Sequence, residues 1–433
     1  MTRSPTRKLL DDCFLHDRDR LKHAEAVALL RERITPLTGT ESVALEAANG
    51  RVLAEDAVAE RPVPAHTNSA VDGFGLAVAS LVPGDETRLD VVVRVAAGHA
   101  TDRSVPRGAA ARIFTGAVLP EGVDTVAMQE DCEVAERDDN GDARVILVPS
   151  GLKAGANVRK AGEDVAAGAA LLEAGALLRP QDLAALASIG VASVTCRRRL
   201  SVAVISSGDE IVRPGARPLG KGEVYDANAP MLVALARAAG AEVTDLGVWP
   251  DDESQITSRL REAAQRFDVL LTSGGASRGE EDHMVAALDA LGKRHLWQLA
   301  VKPGRPMSFG QIGDTIMVGL PGNPVAVFVC FLMYVFPMLR RLGGAPWREP
   351  RRYPLPAGFK IGKRKTGRRE FLRGWLEIEA GRLVVRKFDR DGSGLITGLR
   401  VAEGLIDIPE DLPEVRVGDA VSFIPFAEFG ITA

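Results

Sequence analysis

The sequence predicts a chain of α/β plus β class, with a central α/β domain on a parallel sheet and β-rich domains on either side of it. Three observations predict this. Between residues 181 and 340, short β-branched runs alternate with amphipathic helical patterns, as strands joined by crossover helices do. From 85 to 150 and again from 346 to 433, short apolar runs are punctuated by turn residues instead. A length of 433 residues also exceeds one ordinary core, so roughly two to four domains are expected.

Composition removes several classes of function. The chain carries 54 basic and 58 acidic residues, a formal net charge of −4, which argues against a general nucleic-acid binder. Its four cysteines, at 13, 132, 196 and 330, share no metal-finger spacing, so they read as reduced thiols of a cytoplasmic protein without zinc. Residues 1–20 are polar and charged, with no apolar signal core, and export is not expected. The apolar run 325–336 stops at Pro337 and falls short of the roughly 20 residues a membrane span needs. It is expected to be a buried helix.

In chain order, 21–33 is a helical pattern with Val27 and Leu30 facing inward. His16 and His23 have no partner at ligand spacing and read as packing or surface residues. The irregular stretch 61–75, holding Asn68, Ser69 and Asp72, suits a site loop, although Asp72-Gly73 fits an Asx-type turn as well. Runs 89–95 and 111–115 read as strands, Asp138-Asp-Asn-Gly141 as a hairpin turn, and Thr115-Gly116 as a strand end where a hydroxyl meets bare backbone. In 155–165, Arg159, Lys160, Glu163 and Asp164 cluster in a Gly-rich turn.

The α/β section carries the chemistry. Strand 200–205 runs into Ser206-Ser-Gly-Asp-Glu210, and Asn228 caps a helix with Met231, Leu232 and Leu235 on its inner side. Strand 241–248, helix 252–267, strand 268–272 and helix 281–291 follow. After the last strand, Ser273, Gly274, Gly275 and Ser277 leave backbone N–H groups free to close on an anion, while Glu280, Glu281 and Asp282 suit a helix start or Mg²⁺. Lys302-Pro-Gly-Arg-Pro306 offers two cations on a stiff turn, and Gly319-Leu-Pro-Gly-Asn-Pro324 is a tight turn with Asn323 as cap and Pro324 at the first helical position. Ligands of parallel sheets lie at the carboxyl ends of the strands. Anion loops, Lys302, Arg305 and the carboxylates Glu210, Asp251 and Asp282 converging there meet the needs of phosphoryl or nucleotidyl chemistry. No P-loop and no GxGxxG is present. In the last section, 371–378, 382–386 and 417–423 read as strands, and the basic run 363–369 as a solvated edge or loop, with closure on an anionic ligand as the alternative.

Seven motifs in series, Asn68-Ser-Ala-Val-Asp-Gly73, Thr115-Gly-Ala117, Arg159-Lys-Ala-Gly-Glu-Asp164, Ser207-Gly-Asp-Glu210, Thr272-Ser-Gly-Gly-Ala-Ser277 and the two proline turns, resemble the molybdopterin molybdenumtransferase family. This family includes MoeA and the gephyrin E domain, and the resemblance covers nearly the whole chain. It implies an elongated multidomain chain: 20–60 with 150–180 as a linker and dimerisation domain, 61–149 as an inserted β-rich domain, 181–345 as a MogA-like molybdopterin-binding domain, and 346–433 as a β-barrel-like domain. It implies a cytoplasmic homodimer that inserts molybdate into adenylylated molybdopterin, with Mg²⁺-dependent release of AMP. By carry-over, Glu210, Asp251 and Asp282 hold the metal, Lys302 and Arg305 meet anionic groups, and Gly274, Gly275 and Ser277 cradle phosphate. Ser207, Gly208, Pro321, Gly322 and Asn323 join the substrate site, with Arg368 and Ser393 from the C-terminal domain. Asp72, Thr115 and Asp164 would come from the other protomer. The adenylyltransferase of the preceding step and molybdoenzyme-maturation proteins are the implied partners. The chain departs from the family at Val71, Phe74, Gln298 and His283. A molybdopterin adenylyltransferase one step earlier and a non-catalytic dimeric scaffold of this fold are the alternatives.

Overall fold

The structure, a computed structural model, describes residues 20–274, 283–304, 306–390 and 392–431. Its α/β domain is a six-stranded sheet of β1 (Ser201–Ser207), β2 (Glu242–Trp249), β3 (Val269–Ser273), β4 (Lys293–Gln298), β5 (Pro306–Ile312) and β6 (Thr315–Leu320). The spatial order is β2-β1-β3-β6-β5-β4. The first four in that order run parallel, as the strand-helix alternation predicts. β5 and β4 then extend the sheet antiparallel, because only Gly313 and Asp314 separate β5 from β6 and so short a link makes a hairpin.

Side chains of these strands alternate between two cores, as a pleated backbone requires. Val202, Val204, Val269 and Leu271 pack on one face with Leu232, Leu235 and Ala236 of helix α1 (Asn228–Ala238). Ala203, Ile205 and Leu270 pack on the other with α2 (Glu253–Ala263) and α3 (His283–Leu291). Asp252 caps α2 by accepting from the Gln255 N–H at 2.8 Å. The cap predicted at Asn228 is supplied by Asp226 instead, whose Oδ1 accepts from the Ala229 N–H at 3.0 Å, leaving the Asn228 side chain for another task.

The apolar run does not stop at Pro337. One helical rod, Pro324–Leu342, passes through it, with a π turn at Phe331–Val335 just ahead. A proline ring crowds the carbonyl four residues back and offers no N–H, and a locally widened turn relieves both defects. The rod is long and apolar enough to span a membrane, yet 83 % of its apolar stretch is buried within the protein. It forms the centre of the largest core, shared with Val27 and Leu30 of the N-terminal helix His23–Arg33 and with Phe371, Leu405 and Ile424 of the C-terminal domain.

Before the α/β domain, Thr40–Ala44 pairs antiparallel with Ser193–Arg197, and Ala57–Val58 with Ala170–Leu172. Between these passages lies a six-stranded mixed sheet whose hairpin turns at Asp138, where one carboxylate oxygen accepts the N–H groups of Asn140 and Asp142. Gly73 opens an inner strand of that sheet, and a Cβ there would meet the Ala127 carbonyl oxygen at 1.9 Å. That close approach explains the glycine following Asp72.

The C-terminal sheet borrows the short strand Val301–Lys302, which pairs parallel with Arg369–Glu379. The basic run at its start is not uniformly solvated. Lys363 and Lys365 are exposed, but the Arg364 side chain is buried and donates to the carbonyls of Pro409, Leu412 and Arg368. Arg369 pairs with the buried Asp407 and with Glu410. Carboxylates contributed from later in the chain turn these arginines inward, which a local charge pattern does not reveal.

Candidate active site

Parallel pairing levels the carboxyl ends of four strands. Ser207 stands opposite Trp249, Ser206 opposite Ser273, and Ser273 opposite Leu320, so the chain leaves all four strands at one edge. After β1 the chain turns at Gly208, whose φ of +131° favours glycine. A Cβ there would lie 2.4 Å from the Glu210 carboxylate, so the bare position makes room for that group. The Asp251 N–H donates to Asp209 Oδ1 at 3.3 Å and places the loop after β2 beside the loop after β1. Glu210 and Asp251 are both exposed, and neither is paired with a cation among the described residues.

Two carboxylates on adjoining loops fit a hard cation that keeps several waters, as Mg²⁺ does. Asp282, the third residue predicted for the metal, lies outside the described residues, as do Gly275, Ser277 and Arg305. Among the described residues, no group of three or more acidic, His or Cys side chains is placed to hold a metal.

A cavity of 480 Å³ opens beside this edge, between the α/β and C-terminal domains. Its wall includes Gly274, Lys302, Pro321, Gly322, Asn323 and Ser393. Lys302 reaches Glu370 at 3.4 Å, but Glu370 also faces Arg364, and the Lys302 side chain keeps 42 % of its surface exposed. Ser393 is held over the start of the Pro324–Leu342 rod, where the Val325 N–H donates to its carbonyl at 3.0 Å. Asn323 occupies the cap position of that rod without a side-chain capping bond.

Arg373 was not among the predicted residues, yet it lines the cavity and organises the loop that carries Ser393. Its guanidinium donates to the carbonyls of Arg390 at 2.7 Å and of Gly392 and Leu395 at 3.1 Å. A signal was available. Two-residue periodicity puts Arg373 on the same strand face as the core residue Phe371. Arg368 is not part of the cavity wall; its carbonyl accepts from Arg364.

A second group gathers elsewhere. Asp72 bonds Thr115, Asn68 stands opposite Arg159 in the short pair Asn68–Ser69 with Val158–Arg159, and the Asp164 N–H donates to the Val63 carbonyl. Hydrogen bonds from the Thr115 N–H and hydroxyl hold the Asp72 carboxyl below the usual carboxylate range. Among the described residues, no hydrogen bond or ion pair joins this group to the edge that carries Glu210 and Asp251.

Comparison with known proteins identifies the family. Three family models tile the chain: the MoeA N-terminal region (domain I and II) over residues 21–190, a probable molybdopterin binding domain over 203–341, and the MoeA C-terminal region (domain IV) over 356–426. The molybdopterin molybdenumtransferase of Haemophilus influenzae is 36 % identical over 404 residues, which are 93 % of this chain and 98 % of that protein. The chain belongs to the molybdopterin molybdenumtransferase family. The family member from Bacillus subtilis is 32 % identical and matches over 86 % of each chain. Among solved structures, the molybdopterin biosynthesis MoeA protein of Pyrococcus horikoshii OT3 is 30 % identical, with a TM-score of 0.79 over 94 % of this chain and all of that one. The fold, including the MogA-like central domain and its β-rich neighbours, is therefore that of MoeA structures.

Proposed function

We propose that this chain is the molybdenum-inserting enzyme of molybdenum cofactor biosynthesis. Adenylylated molybdopterin binds, its dithiolene sulfurs displace oxygen ligands of molybdate as water, and a water molecule cleaves the phosphoanhydride, so that AMP leaves and the phosphate stays on the pterin. The observation that carries this reading is the 480 Å³ cavity at the sheet edge, with Lys302 and Ser393 in its wall and the exposed carboxylates Glu210 and Asp251 on neighbouring loops of that edge. Two anions must meet for insertion. Lys302, Gly274 and the Ser393 loop are suited to receive anionic groups, and Glu210 with Asp251 to hold Mg²⁺. When bound, Mg²⁺ neutralises charge on the phosphoanhydride.

A homodimer supplies the rest. The Asp72–Thr115 pair and Asp164 make no contact with Glu210 within the described residues of one chain, so we assign them to the site of a second copy. The pterin would arrive from the molybdopterin adenylyltransferase and depart to molybdoenzyme-maturation proteins. Free thiols at Cys132, Cys196 and Cys330 suit a reducing cytoplasm.

The cavity also separates the insertion step from the preceding adenylylation. Phe371, Arg373 and Ser393 of the C-terminal domain build part of its wall, so the site is not that of an isolated MogA-like domain. Purified protein supplied with adenylylated molybdopterin, Mg²⁺ and molybdate should release AMP, and Glu210→Gln should stop release while melting like the wild type. Unchanged release by that variant would remove Glu210 from the reaction.

A further inference from the structure

Two carboxylates on separate loops can share a cation only if the loops are held at a fixed spacing, and one guanidinium is placed to hold them. Arg213 follows directly on the short strand Ile211–Val212, which starts next to Glu210 and pairs parallel with Val224–Tyr225. Its Nη1 lies 3.4 Å from Asp226 Oδ2 and its Nη2 2.5 Å from Asp245 Oδ1. Asp226 is buried before the start of α1, where it also accepts from the Ser206 hydroxyl at 2.6 Å and from the Ala229 N–H. The Val224 N–H donates to the Glu210 carbonyl at 2.8 Å and the Asp226 N–H to the Val212 carbonyl at 2.9 Å, which closes the same loop.

A second, independent feature lies at the other end of the guanidinium. Val204 stands opposite Asp245 but Ser206 opposite Val248, so β2 carries one residue more than β1 over this step and forms a bulge. Gly247 takes up the extra length with a φ of +84°, and its N–H donates to Asp245 Oδ1 at 2.9 Å, the oxygen that also receives Arg213. A bulge bends its strand and re-aims the chain beyond it. The chain beyond β2 carries Asp251, whose N–H meets Asp209 of the Glu210 loop. One carboxylate oxygen therefore fastens both the exit of β2 and the loop after β1.

We infer that Arg213, acting through Asp245, is a positioning residue that sets the spacing of Glu210 and Asp251 and with it the affinity for a divalent cation. The inference rests on the Mg²⁺ reading of those two carboxylates and names the groups that hold them in place.

Mn²⁺, which takes the same oxygen ligands as Mg²⁺ and is read by electron paramagnetic resonance, tests it on the purified protein. Glu210→Gln, which removes a ligand charge, should weaken Mn²⁺ binding. Arg213→Gln and Asp245→Ala should each weaken it about 10-fold, the lower end of the range for groups that orient metal ligands. The double variant should lose no more than either alone, because both remove one ion pair. Asp245→Ala leaves the buried Asp226 paired with Arg213, so this variant should melt close to the wild type. In AMP release, both single variants should raise the half-saturating Mg²⁺ concentration by the same factor, and saturating Mg²⁺ should restore the rate. Wild-type Mn²⁺ affinity in either single variant, losses that add in the double variant, or a rate deficit that saturating Mg²⁺ does not recover would overturn the positioning role. Undiminished Mn²⁺ binding in Glu210→Gln refutes the metal reading itself, whereas weakened binding there with wild-type affinity in Arg213→Gln and Asp245→Ala refutes the positioning role alone.

Discussion

Asp72 receives two hydrogen bonds from Thr115 on a single oxygen, Oδ1, one from the backbone N–H and one from the hydroxyl, each at 2.7 Å. Both bonds favour the charged form, so the carboxylate persists to lower pH than a free aspartate. Thr115→Val removes the hydroxyl and keeps the shape. The Asp72 pKa should then rise toward its ordinary value, and the acid limb of the pH–activity profile should move to higher pH. Carbon-detected NMR titration of the Asp72 carboxyl reads the shift directly; an unmoved pKa would show that the hydroxyl bond is unimportant.

Asp72 and Glu210 make no contact among the described residues of one chain, which makes complementation informative. A mixed dimer with Asp72→Ala in one protomer and Glu210→Ala in the other has one damaged and one intact composite site. It should recover about half of wild-type activity, while each homodimeric variant stays inactive. A mixed dimer as inactive as its parents, or a monomer in gel filtration, would refute the shared site.

Gly208 tests the placement of Glu210 without touching its chemistry. Gly208→Ala puts a Cβ where the carboxylate lies and imposes an unfavourable φ. A displacement of this kind can cost about 100-fold in turnover, whereas the loop strain should lower stability by only about 1–3 kcal/mol. AMP release and thermal melting measured on the same preparation separate the two effects. Near-normal turnover would mean that the Glu210 position is not critical.

His23 links three parts of the fold: its Nδ1 lies 3.0 Å from the Tyr334 hydroxyl and its Nε2 3.4 Å from Arg352, which pairs with Asp407. Burial, and next the nearby Arg369, lower its pKa from 6.5 to about 4. The unfolded chain takes up this proton near pH 6.5 and the folded chain only near 4, so the stabilisation is complete above pH 6.5 and is lost as pH falls toward 4. The loss should reach at most about 3 kcal/mol. Urea unfolding of wild type and His23→Gln across this range should show the wild type losing more stability on acidification. Parallel curves would contradict a neutral buried imidazole.

The parts of the site legible in the sequence are those that local chemistry defines. Glycines that permit turns after short apolar runs mark the loops at Gly208 and Gly274, and Asp138 marks its hairpin because the turn bonds only neighbours. What stayed hidden depends on distant partners. Asn228 reads as a helix cap until the Gly322 carbonyl, 94 residues away, is brought to it. Arg369 reads as a solvated cation until Asp407 faces it across the sheet. Pro337 reads as a stop signal, because the π turn that accommodates it leaves no mark in an unbroken apolar run.

Simultaneous measurement of AMP released and molybdenum bound to the pterin, starting from adenylylated molybdopterin and molybdate, bears most directly on the proposed activity. One AMP should appear for each molybdenum inserted, and both should cease when Mg²⁺ is chelated. AMP release without molybdenum on the product, or adenylylation of molybdopterin from ATP in its place, would contradict it.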